Sequence, residues 1–392
     1  MPDGGEPRTL KVISRIAEID ANAWDSCAGA DNPFVTHRFL DAMEESGSVS
    51  DETGWQPQHL LVQSKRAELL GAVPCYLKSH SYGEYVFDWG WADAFERAGG
   101  AYYPKLQVSV PFTPVTGPRL LVRPGPGAAD TRRLLIAGLM ELARQHKVSS
   151  LHITFPTEGE WDHLGDAGFL QRIGKQFHWE NRGYDSFDDF LATLSSRKRK
   201  GIRKERREAN AEVDIEVLTG AALEERHMDA FYRFYLDTAD RKWAHAYLNR
   251  NFFRLLHERM ADRMVMVMAS LDGAFVGAAL NLLGSDTLYG RNWGSAGSFR
   301  FLYFEACFYR AIEFAIDHGL TRVEAGAQGP HKISRGYLPT TTYSAHWIRD
   351  PGFRDAVADF LEHEQDEVTG EMALLTRHRS PYRKDGGRRD AK

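Results

Sequence analysis

Cysteine is scarce in this 392-residue chain: Cys27, Cys75 and Cys307 are scattered and odd in number. Three such positions build neither a disulfide framework nor a thiolate metal cluster, which fits a reducing compartment. No apolar run approaches the ~20 residues that span a bilayer. The opening MPDGGEPRTL lacks the basic start and apolar stretch of a secretory signal. A cytoplasmic location without a membrane span is therefore expected. An excess of one charge is also lacking, since 49 Lys and Arg against 54 Asp and Glu leave −5. The molecule as a whole is no polyanion binder. Gly-x-Ser-x-Gly, His-Glu-x-x-His, Cys-x-x-Cys and the Walker loop are all absent, so no metal and no triad hydrolase is expected.

What the chain does have is repetition. His163-x4-Gly168-Phe169-Leu170-x7-His178-Trp179 returns without a gap as His331-x4-Gly336-Tyr337-Leu338-x7-His346-Trp347. Upstream, Leu70-Gly71-Ala72 is echoed by Val276-Gly277-Ala278, and Tyr85-x3-Trp89-Gly90-x-Ala92 by Tyr289-x3-Trp293-Gly294-x-Ala296. The period is far too long for a solenoid. It predicts two copies of one domain, 1–185 and 186–375, followed by a basic tail, 376–392, expected to be disordered.

Each copy reads as the same series of elements. Apolar residues at helical spacing place helices over Phe34–Ser46 and Tyr247–Met260. Paired strands follow, His59–Gln63 with Glu68–Leu77, and Met264–Leu271 with Ala274–Leu283 around Asp272-Gly273, a strong hairpin signal. A third strand ends in Trp-Gly in both copies. The first copy inserts a further strand, Thr113–Val122. Helices over Asp130–His146 and Phe301–His318, the latter closed by Gly319, lead to strands Ser150–Phe155 and Thr321–Ala325. The expected class is α/β (α+β), with mixed sheets flanked by helices.

Between the copies, residues 196–207 (SRKRKGIRKERR) carry eight basic residues and one glutamate on an expected helix. This is either a solvated connector or a phosphate-binding surface, with Arg199 and Arg203 as donor contacts. Two glycine loops precede helices, Arg123-Pro-Gly125-Pro-Gly127 and Gly294-Ser-Ala-Gly297-Ser. Each is a plain turn or a cradle for phosphate, because free N–H groups and the helix dipole favour an anion there.

GAQGPHKISRGYLPTTTYSAHWI (Gly326–Ile348), LYGRNWG (Leu288–Gly294) and FEACFYRAIEFAIDHGL (Phe304–Leu320) resemble a FemAB-like bacterial family placed in the GNAT (acyl-CoA N-acyltransferase) superfamily. Pro330 and Asn292 depart from its pattern. The resemblance implies two tandem GNAT-like domains. It also implies transfer of an acyl or aminoacyl group, from acyl-CoA or aminoacyl-tRNA, to an amine of a small molecule, peptide or cell-wall precursor. The alternative is a degenerate pair that only binds a cell-wall precursor or nucleic acid. Amide formation needs a base for the amine proton and donors for the oxyanion.

Residues shared by both copies, such as His178 and His346, lean structural. Residues peculiar to the second copy are the better site candidates: Glu324, Gln328, Lys332, Arg335 and Tyr343. Lys332 and Arg335 stand as loop cations where the first copy has Leu164 and Ala167. Glu324 and His331 rank together as base, unless Glu324 merely pairs with Arg335.

Overall fold

A computed structural model describes residues 7–241, 246–327 and 329–383. Trp243, Gln328 and the tail from 384 onward lie outside the described residues. The strands are β1 (Arg8–Ile13), β2 (Trp55–Pro57), β3 (His59–Ser64), β4 (Leu69–Val73), β5 (Cys75–Lys78), β6 (Lys105–Val108), β7 (Leu121–Val122) and β8 (Ser150–Thr154). They continue as β9 (Leu170–Glu180), β10 (Asp214–Thr219), β11 (Met264–Leu271), β12 (Ala274–Leu283), β13 (Thr287–Ser295), β14 (Arg322–Glu324) and β15 (Leu338–Ile348). Among the described residues, no helix is long and apolar enough to cross a membrane.

Two compact units form, and neither is one continuous stretch. The first takes 7–174, 246–262 and 341–369; the second takes 175–241, 263–340 and 370–383. The break expected after residue 185 is therefore replaced by an exchange. From Lys175 onward β9 belongs to the second unit, where it pairs antiparallel with β14. From Thr341 onward β15 belongs to the first unit, where it pairs antiparallel with β8. Each half of the chain gives its last strand to the other unit. Both strands carry the repeated Gly-aromatic-Leu entry and His-Trp exit, so either can satisfy the open edge that unpaired backbone leaves.

In the first unit the strand orders are β1-β3-β4-β7 and β15-β8-β6-β5-β2. Helix Ala128–Gln145 presents Leu135, Leu139 and Leu142 at helical spacing and packs them with Leu60, Val73, Leu151 and Ile153. In the second unit β10 to β13 form an antiparallel meander, whose Asp272-Gly273 turn has φ of 50° and 79°, as a two-residue hairpin turn requires. A helical crossover returns the chain to β14, parallel to β13. It is α-helical at Leu302–Phe304 and Arg310–Asp317, around one π-helical turn, Glu305–Tyr309. Phe308, Tyr309 and Ile312 pack with Trp179, Phe190 and Tyr337.

The downstream repeat is structural. Gly168 (φ 86°) and Gly336 (φ 100°) each follow a short helical segment and precede a strand. A Cβ on Gly336 would lie 2.7 Å from the Phe190 ring. The two long helices also end alike. Lys147 (φ 54°) and Gly319 (φ 65°) are left-handed, and Val148 and Leu320 donate back to Ala143 and Ala315.

Four expectations are corrected. Trp89-Gly90 opens helix Trp89–Arg97, whereas Trp293-Gly294 lies in β13, so that echo has no structural counterpart. Glu68–Leu77 is broken at Pro74, which lacks an N–H, into strands of two different sheets. Over Thr113–Val122 only Leu121–Val122 is strand; the buried Arg119 instead donates to Val115 and Thr154 carbonyls. Residues 376–379 close helix Pro351–Arg379, and Tyr382 is half-buried, its hydroxyl donating to the Gly336 carbonyl.

Candidate active site

The second unit contains a parting of strands. β13 and β14 stay in register only from Thr287↔Arg322 to Tyr289↔Glu324. β14 then ends while β13 continues along β12, its path bent by a bulge at Leu280/Asn281. The wedge this leaves is lined by Asn281, Gly290 and Trp293 from the sheet, Tyr303 and Cys307 from the crossover, and Ala325.

Glu324 sits at the point of parting and is 3% exposed. Burial pushes its carboxyl up to about 8, and Arg322 and Arg291 offset only part of that. Across the β9–β14 pair, His178 Nδ1 lies 3.9 Å from Glu324 Oε1. The His178 Nε2–H donates to Gln176 Oε1 at 3.2 Å, which leaves the Nδ1 lone pair facing Glu324. Burial, then Arg322 and Lys332, push this imidazole down to about 3. Glu324 Oε2 and His178 Nδ1 are buried with no hydrogen-bond partner among the described residues.

The turn from Gly326 to Gly336 carries the other groups. Lys332 is buried, and its Nζ donates to the Gly326 carbonyl at 2.8 Å. Burial brings its ammonium down to about 8. Among the described residues no carboxylate lies within ion-pair distance of it. His331 is exposed, but its ring lies 5.8–6.0 Å from those of Tyr303, Phe304 and Phe308. Partial burial, then Arg335 and Lys332, lower its pKa.

Arg335 and Lys332 are thus not the surface cations expected of a loop. Arg335 is 6% exposed, pairs with Glu205 at 2.9 Å, donates to the His331 carbonyl and lies 3.4 Å over Phe304. The alternative pairing of Arg335 with Glu324 does not form; Glu205, on the basic helix Ser196–Glu212, takes its place. Arg335 therefore positions the turn. Glu324 and His178 thus form a buried cross-strand pair, and Lys332 is a buried cation on the turn that follows β14. Burial moves both the carboxyl and the ammonium toward about 8, the range in which a proton is taken or released at little cost.

Other expected site residues lie apart from this group. Tyr343 belongs to the first unit, packs on Trp161 and donates to Glu158 at 2.8 Å. Gly127 (φ 85°) caps helix Ala128–Gln145, but a Cβ there would meet the Arg8 guanidinium at 2.7 Å. A cation thus occupies the start that was expected to cradle phosphate. Arg123 donates its backbone N–H to Leu70, and Gly125 (φ 137°) completes the same turn. Gly297 accepts from the Ser295 hydroxyl in a tight turn. Gly294 lies inside β13, with a Cβ position 2.3 Å from the Phe234 carbonyl oxygen. It is a packing glycine, and Gly294→Ala is expected to cost about 1–3 kcal/mol in urea unfolding through overpacking.

On the basic helix, Arg203 pairs with Asp188 and Arg199 is half-buried. Arg206 differs from both. It holds Glu305, which is 0% exposed, together with Glu313. Arg206→Gln is expected to cost about 3 kcal/mol, because it strips a partner from a buried carboxylate. Arg199→Gln, Lys200→Gln and Arg203→Gln should each stay within about 0.5 kcal/mol. Equal melting temperatures for all four variants would contradict this division.

His178 is the functional candidate that sequence reasoning missed. Its repetition in both halves suggested a structural role, and its cross-strand partner is set only by the strand exchange. In the first unit the corresponding pair is His346 with His152, their Nδ1 atoms 2.7 Å apart.

A family model, FemAB-like, described as peptidoglycan biosynthesis/recognition, matches residues 15–384. The fold is that of solved structures at low identity. FemX is 12% identical at a TM-score of 0.56, over 89% of this chain and 100% of its own. The C-terminal domain of a protein assigned as lysylphosphatidylglycerol synthetase from Agrobacterium fabrum is 10% identical at 0.54, over 92% and 97%. A Bacteroides thetaiotaomicron protein of unknown function is 12% identical at 0.51, over 87% and 100%. No curated protein matches the chain. Each of its two units has a mixed sheet and a helical crossover.

Proposed function

The chain belongs to the FemAB-like family, and we propose that it transfers an acyl or aminoacyl group to an amine, with the reacting centre in the second unit. The observation that carries this reading is Glu324, a buried carboxyl pushed up to about 8 where β13 and β14 part. A group of that pKa is matched to an amine that must lose its proton as it attacks.

In this reading the wedge between the strands admits the acyl end of the donor. Glu324, as the carboxylate, takes the proton of the attacking amine, and the neutral His178 ring, 3.9 Å away, walls that carboxyl off from solvent. Lys332 faces the oxygen that gains charge at the acyl carbon. Arg335 and the left-handed glycines Gly329 and Gly336 set the turn, and His331 lines its exposed rim. Arg199, Arg203 and Lys200 give the basic helix a surface for donor phosphates.

A thermal-shift screen with acetyl-CoA, longer acyl-CoAs and aminoacyl-tRNA tests this. A donor at 100 times its Kd stabilises the native form by about 2.7 kcal/mol. A tRNA donor should lose affinity steeply with salt, and the three helix substitutions should flatten that slope. A CoA donor, with fewer phosphates, should show a shallow slope, and this is the expected result. Absence of both a shift and transfer with every donor would favour a module that only binds.

A further inference from the structure

Because the two units share one fold, each serves as a control for the other. In the second unit, the face of the crossover turned toward the glycine-bounded turn is filled. Tyr303, Phe304 and Phe308 surround the His331 ring, and Arg335 lies over Phe304. The first unit has the same elements: helix Ala128–Gln145, the short helix Glu158–Asp166 and the repeated His163. Its residues on this face are smaller or charged. Counted back from the common helix end, Ile136 stands where Phe308 stands. Ala167 stands where the repeat has Arg335. The result is an open groove of about 510 Å³ in the first unit, a size typical of small-molecule sites.

The groove has an apolar floor of Ile136, Ala137, Met140 and Ala167. Two charges of opposite sign stand on its rim and do not pair with each other. Arg132 has its nearest polar side-chain contact in the His163 ring at 3.5 Å, and its Nε is buried without a partner. Asp166 forms no ion pair among the described residues. The remaining rim cation, Arg133, is engaged by Asp130. A free cation, a free anion and an apolar floor match one chemistry closely. A carboxylate would face Arg132 and His163, an ammonium would face Asp166, and an apolar side chain would cover Ile136 and Met140.

We infer that this groove of the first unit binds a free amino acid with an aromatic or branched apolar side chain. The inference does not rest on the transfer reaction proposed above.

Met140 supplies the readout. With methyl-13C methionine, and the Met140 signal identified by its loss in Met140→Leu, L-phenylalanine is expected to shift that signal saturably. N-acetyl-L-phenylalanine lacks the ammonium and phenethylamine lacks the carboxylate; each should bind about tenfold more weakly. Arg132→Gln should weaken L-phenylalanine and leave phenethylamine unchanged, while Asp166→Asn should weaken L-phenylalanine and leave the N-acetyl compound unchanged. Ile136→Phe places into the groove the ring that fills it in the second unit. It should abolish the Met140 shift while the other methionine signals stay in place. The inference is overturned by no saturable shift with L-phenylalanine, by equal binding of the three probes, or by a shift that survives Ile136→Phe.

Discussion

Glutamine in place of Glu324 is expected to lower turnover by about 10²- to 10⁴-fold, the usual contribution of a positioned general base. The amide keeps the size and hydrogen-bonding capacity of the protonated carboxyl, so the fold should persist. With the group pushed up to about 8, the wild-type rate should rise as pH climbs toward 8, as the carboxylate form appears. Lys332, brought down to about 8, loses its charge over the same range, so the rate should fall again above it. Glu324→Gln should remove the rising limb and leave the falling one.

Stability provides a separate check with a definite sign. A carboxyl whose pKa is raised on folding holds its proton in the native state after the unfolded chain has released it. Its contribution to stability is therefore complete below the unfolded value of 4.5 and is lost as pH rises toward 8. Urea unfolding at pH 5 and pH 9 should show Glu324→Gln gaining on wild type at the higher pH. Wild-type turnover in the variant would remove Glu324 from the mechanism, leaving His331 as the base to test.

Lys105→Met should be the most destabilising single change, at about 3–5 kcal/mol, a large fraction of the 5–15 kcal/mol that holds typical domains together. Lys105 is 0% exposed in the first unit and donates to Ser81 and Glu84 at 2.7 Å and to Asp88. Methionine fills a similar volume but leaves two buried carboxylates without their cation. Burial alone would raise the Asp88 carboxyl, yet Lys105 and His152 outweigh it and hold the group well below the usual range. Burial pushes Glu84 up to about 7, with Lys105 offsetting part of the rise. The depressed Asp88 stabilises wild type above its unfolded value of 3.8, and that contribution is lost as pH falls through its folded pKa. The deficit of Lys105→Met should therefore be largest at neutral pH and shrink in acid, where both orphaned carboxylates accept protons. A deficit independent of pH would show that lost packing, rather than charge, carries the cost.

Local order was readable from the chain wherever a residue's own chemistry decides its conformation. The hairpin at Asp272-Gly273, with β11 and β12 on either side, forms as expected because two left-handed residues permit one tight turn. Helix Ala128–Gln145 and the crossover ending before Gly319 follow from apolar spacing and a left-handed stop. Lys332 was legible as a candidate because the first copy has Leu164 at that place, and Glu324 because the first copy has no carboxylate at the matching strand end. Partner choice was not legible. Whether β9 completes its own unit or the other depends on which open edge is free, and both edges accept the same Gly-aromatic-Leu strand. That decision places His178 beside Glu324 and His346 beside His152. Arg335 likewise took Glu205 rather than Glu324, because burial between two elements rewards the carboxylate that arrives with good geometry, wherever it lies in sequence. Residue chemistry determined the elements and the kinds of group available; long-range packing, which desolvates those groups and selects their partners, decided which of them form a site.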